Sequence, residues 1–118
     1  MWRNEMNIQI FGSKKSNDSK KAERWFKERG IKYQFIDLRE KDMSRGEFSS
    51  VLQSVGDTDE LIDEKCRDKQ LLTLMNYLTP DDKTEKLFEN QQALRTPIVR
   101  NGKKATVGYC PDVWDKWE

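Results

Sequence analysis

Histidine is absent from this chain of 118 residues, and cysteine nearly so, with Cys66 and Cys110 the only two. No side chain therefore has an ordinary pKa near neutrality, and two widely separated thiols give a zinc or haem site little support. No apolar run is long enough to span a membrane or to act as a targeting segment. Neither charge dominates: 22 basic against 21 acidic residues leave a net +1. With basic and acidic residues interleaved, no global drive toward lipid or direct contact with nucleic acid follows. Scarce cysteine without a targeting segment points to a cytoplasmic protein with reduced thiols. What is present, 35% hydrophobic residues in a chain of this length, suffices for one modest core and a single domain over 1–118.

The first half opens as a β-α-β unit. Ile8, Ile10 and Phe11 mark a short strand, and Gly12–Asp18 form a polar turn from which a helix starts. Ser16 or Asn17 is placed to cap that helix by accepting a first-turn N–H. Ala22, Trp25, Phe26 and Arg29 follow at helical spacing, Gly30 supplies the stop, and Ile31–Leu38 is a second strand. Met1–Glu5 precede the first strand as a loose extension. At the other end, Thr96-Pro97-Ile98-Val99 begins a third strand, Asn101-Gly102 suits a type I′ turn, and Ala105–Gly108 runs back as a fourth. Trp114 and Trp117 follow as core and edge packing.

Residues 42–92 read as helical throughout. Ser44 and Glu47 form a capping-box pattern ahead of Phe48, Val51, Leu52 and Val55. Leu61 and Ile62, then Leu71 to Leu78, give one or two further helices, and Thr79-Pro80-Asp81-Asp82 starts another. No linker or repeat separates this middle, which is expected to pack on the sheet as a helical insertion.

This order, β-α-β, helices, β-β-α, is that of a thioredoxin-like α/β domain with a mixed four-stranded sheet. Ile10-Phe11-Gly12, Lys14-Lys15-Ser16-Asn17-Asp18-Ser19-Lys20-Lys21-Ala22, Gly30-Ile31-Lys32-Tyr33 and Ile36-Asp37-Leu38-Arg39 resemble the opening of the arsenate reductase ArsC and Spx regulator family. Thr96-Pro97-Ile98-Val99, Asn101-Gly102-Lys103 and Val107-Gly108-Tyr109 resemble its close. The resemblance implies a cis bond at Thr96-Pro97, facing the helix turn and flanked by backbone that binds extended peptide or glutathione. It also implies cysteine, often Cys-x-x-Cys, where this chain has Ser16 and Ser19. A thiolate at a helix start is stabilised by the backbone dipole, and a serine hydroxyl ionises far too high to replace it. The arginines that hold oxyanions in the reductases fall by alignment near Lys65, Thr96 and Tyr109, so the clamp is expected to be missing as well.

Three functions follow. The first, favoured, is a non-catalytic regulatory module that binds a protein, which by resemblance to Spx-like members is RNA polymerase; such a module needs a surface and no nucleophile. The second is an anion or small-ligand site at the first helix start, where Lys14, Lys15, Ser16 and Asn17 gather beside free N–H groups, with Lys20 and Lys21 close by. A solvated basic turn explains the same residues. The third is an arsenate reductase-like or glutathione-linked oxidoreductase using Cys110, whose place before Pro111 at the start of the last helix suggests a dipole-lowered thiol. Cys66 lies in the helical middle with no evident route to it. No metal and no resident cofactor are expected.

Overall fold

The computed structural model describes residues 6–117, so the extension expected over Met1–Glu5 lies outside them. Strand β1 (Ile8–Gly12) leads through a turn into α1 (Asn17–Glu28) and back along β2 (Tyr33–Asp37). Helices α2 (Arg45–Val55), α3 (Lys69–Met75) and α4 (Pro80–Glu89) come next, followed by β3 (Ile98–Asn101), β4 (Lys104–Val107) and α5 (Pro111–Asp115). The strands form one mixed sheet of order β2-β1-β3-β4, with β1 parallel to β2 and antiparallel to β3, and β3 antiparallel to β4.

Period-two alternation sorts the strand side chains onto two cores. Ile8, Ile10 and Val99 meet Ala22, Trp25 and Phe26 of α1 and Trp114 of α5. Phe11 and Ile98, paired across β1 and β3, point the other way into Phe48, Val51, Leu71, Met75 and Leu87 of α2–α4. Trp114 is fully buried, and its indole N–H donates to Thr106 Oγ1 at 2.8 Å, which satisfies the one polar atom that burial would otherwise orphan. Trp117 packs at the edge of the same cluster.

Helix starts follow their local chemistry. Glu47 N–H donates to Ser44 Oγ at 3.1 Å and Ser44 N–H to Glu47 Oε1 at 2.9 Å, a complete capping box on α2. Thr79 caps α4, with Pro80 in its first turn. At the end of α2, Ser54 Oγ accepts the Ala105 N–H at 2.9 Å, fastening the helix beside β4.

Two expectations need correction. The middle is not helical throughout. Three-ten turns occupy Thr58–Leu61 and Gln91–Ala93, and residues 62–68 form an irregular loop. Asp63 N–H donates to Ala93 O at 2.7 Å, Arg95 N–H to Leu61 O at 2.8 Å, and Ile62 bridges Leu94. These distant backbone partners take the groups that a continuing helix would have used. The β3–β4 turn is also not type I′. Asn101 pairs with Lys104, so Gly102 and Lys103 make the turn. Gly102 alone has positive φ (61°), the glycine-first pattern of a II′ turn, whereas type I′ requires positive φ at both residues.

Candidate functional site

The carboxyl ends of β1 and β2 open beside the start of α1, the place where ligands collect in open α/β sheets. Four segments meet there around a groove of about 590 Å³: Ser13, Lys15 and Ser16 after β1, Leu38 and Arg39 after β2, residues 63–68, and residues 91–96 leading to β3. An adjoining recess of about 530 Å³ joins Ser16, Asn17 and Asp18 to Asp63, Lys65, Arg95 and Thr96. The Thr96–Pro97 peptide is cis and Pro97 is fully buried.

The serines at the helix start are occupied by the backbone. Ser16 Oγ accepts the Ser19 N–H at 3.1 Å and is the N-cap of α1. Ser19 is 0% exposed, and its Oγ accepts the Ser13 N–H at 3.3 Å. A Cβ placed on Gly12 would lie 2.5 Å from that oxygen, so glycine is required at the end of β1 for the turn to close over Ser19. The spacing held a signal for this inward position, since 19, 22 and 26 share one helical stripe with two core residues.

The basic residues do not gather as the sequence suggests. Lys14 turns to Glu40, 3.8 Å away, with both side chains exposed. Lys20 is exposed, and Lys21 lies over the Tyr109 ring. Of the first-turn lysines, Lys15 is the one that lines the groove. Tyr109 therefore stands away from the groove, whereas Lys65 and Thr96 line it.

The positions that alignment gave to the arginine clamp hold Lys65, Thr96 and Tyr109, and other arginines stand nearby. Arg39 and Arg67 line the groove, and Arg95 lines the recess beside it. Among the described residues, Lys15, Arg39, Lys65, Arg67 and Arg95 enter no ion pair. The neighbouring carboxylates are turned to backbone: Asp63 Oδ1 accepts the Lys65 N–H at 2.9 Å, and Asp68 Oδ1 the Leu71 N–H at 3.0 Å at the start of α3. Asp18 also lines the recess, so the combined lining is mixed in sign, with cations outnumbering carboxylates. No short motif encodes it, because its residues come from segments that only the folded chain brings together.

The two thiols lie apart, with Cys110 at the start of α5 as expected. Cys66, 7% exposed, lines the groove. Cys110 packs against the aromatic core beside α1, and its Sγ donates to Val107 O at 3.3 Å. Burial pushes the Cys110 thiol above its ordinary pKa, outweighing the opposing pull of Arg95 and Thr106. A five-residue α5 has too little aligned backbone to reverse this, which corrects the expectation of a dipole-lowered thiol.

Known proteins resemble this chain in sequence and in fold. The sequence is 29% identical over 109 residues to the global transcriptional regulator Spx 2 of Oceanobacillus iheyensis, covering 91% of this chain and 80% of the relative. Among solved structures, an ArsC family related protein from Bacteroides fragilis superposes with a TM-score of 0.84 at 18% identity, over 98% of this chain and 100% of that one. The arsenate reductase from Vibrio cholerae superposes at 0.81 with 22% identity, over 96% and 98%. Both share the thioredoxin-like fold described above. The ArsC family itself matches residues 11–117, nearly the whole length, and the chain belongs to that family.

Proposed function

We propose that this chain is a regulatory ArsC/Spx-like unit, one domain over 1–118, that works in the cytoplasm by binding a protein and runs no thiol chemistry from its helix start. The occupied serines carry the reading. Ser16 and Ser19 spend their oxygens on backbone N–H groups where reductase chemistry needs a thiolate. A relative that covers most of this chain is named a transcriptional regulator, and resemblance to Spx makes RNA polymerase the partner to test first. Cys110, with its raised pKa and its contact to Val107, lends little support to a glutathione-linked nucleophile.

The test pairs two assays on purified protein. A complex with RNA polymerase, together with no glutaredoxin-coupled arsenate reduction, is the expected result. Turnover that disappears in Cys110→Ser would sink the reading and make the chain an enzyme.

A second reading is favoured by one observation, the five cations of the groove and its adjoining recess that form no ion pair among the described residues. On that reading Lys15, Ser16, Asn17, Thr96 and the backbone beside Pro97 accept an anion, with Arg67 and Arg95 supplying charge. Saturable sulfate or arsenate binding that is weakened in Arg95→Ala would support it.

A further inference from the structure

Two turns along α1 from the groove lies a separate open recess of about 410 Å³, lined by Lys21, Arg24, Trp25, Glu28, Arg29 and Tyr109. Aromatic rings hold two of its three cations in place. The Arg29 guanidinium stacks 4.0 Å from the Trp25 ring, and its Nη1 donates to the Trp25 carbonyl at 3.1 Å. Lys21 Nζ lies 5.9 Å from the centre of the Tyr109 ring. Tyr109 is in turn fixed edge-on to buried Trp114, with ring centres 5.5 Å apart. Among the described residues Lys21, Arg24 and Arg29 form no ion pair, and Glu28 is the sole carboxylate lining the recess. A cation already positioned by a ring loses less freedom when an anion arrives, so the site is prepared for negative charge.

Its edge carries an exposed aromatic ring, since Tyr109 is 40% exposed. A peptide supplies both carboxylates for the cations and an apolar side chain for that ring. We propose that this recess docks an acidic peptide segment of a protein partner. Its carboxylates would meet Lys21, Arg24 and Arg29, and an apolar side chain would cover Tyr109. The proposal deepens the protein-binding reading above and rests on it.

A short Glu/Asp-rich peptide with one central leucine is the probe, titrated while following tryptophan fluorescence and backbone amide shifts. Saturable binding that weakens with salt is expected, with shifts at residues 21–29 and at Tyr109. The double variant Lys21→Glu/Arg24→Glu, at two exposed positions, should weaken binding by at least about tenfold, since like charges then face each other. Shifts confined to the Ser16 groove would overturn the proposal. So would an absence of saturable binding, or a single-stranded oligonucleotide of equal charge binding more tightly at the same residues. Purified RNA polymerase separates the two readings. If wild type and double variant retain it equally, this surface is wrong while the protein-binding reading stands. If neither retains it while the peptide binds at 21–29, the surface stands and the polymerase reading falls.

Discussion

Ser16 and Ser19 act in sequence at the start of α1: the first hydroxyl receives the second residue's N–H, and the second hydroxyl receives the N–H of Ser13. Each is therefore a structural group first. Replacing Ser16 by alanine removes an N-cap and should cost about 1 kcal/mol. Ser19→Ala orphans the Ser13 amide and should cost about 1–2 kcal/mol. Urea unfolding of the two variants checks both, and unchanged midpoints would show the hydroxyls to be dispensable. The cap at Ser16 was legible in the sequence because capping is local. The placement of Arg67 at the groove and Arg95 at its recess was not, because it depends on segments that only the folded chain brings together.

At the scale of elements, the groove wall depends on one buried side chain. Gln91 is 3% exposed and grips both backbone groups of Met43: Met43 N–H donates to its Oε1 at 2.7 Å, and its Nε2 donates to Met43 O at 3.1 Å. This fixes the segment between β2 and α2 that carries Arg39 against the turn preceding β3. Gln91→Leu would leave both groups buried without partners, and a loss of about 2–4 kcal/mol is expected. Faster hydrogen exchange at the Met43 amide, measured beside the unfolding midpoint, would locate the damage. Periodicity and capping patterns made α2 and α4 readable in advance. They failed over 62–68, where the bonding partners lie about thirty residues downstream and leave no trace in local spacing.

For the whole molecule, order of elements and sheet composition were legible, since a β-α-β opening and a β-hairpin close constrain the topology strongly. The convergence of four segments on one groove was not, because it is a property of packing. One global observable follows from Tyr33, whose hydroxyl donates to Glu23 Oε1 at 2.9 Å. Burial first, then the hydrogen bond and charge of Glu23, push its pKa up to about 12. The unfolded phenol ionises near 10, so the folded state holds its proton more tightly. The stabilisation from this group is complete below about pH 10 and is lost as pH rises through about 12. Alkaline unfolding should therefore begin at lower pH in wild type than in Tyr33→Phe, and superimposable profiles would refute the assignment.

The bond between Ser54 and Ala105 has a consequence for how this sheet meets other chains. A strand at the rim of a sheet offers unsatisfied amides on which a stranger can template itself. Here β4 is such a rim, and α2 lays a hydroxyl across its open flank at Ala105, while the Cys110 thiol does the same at Val107 O. The chain's own side chains thus occupy groups that a strand annealing to that rim would need, which makes β2 the more open edge for any sheet extended between molecules.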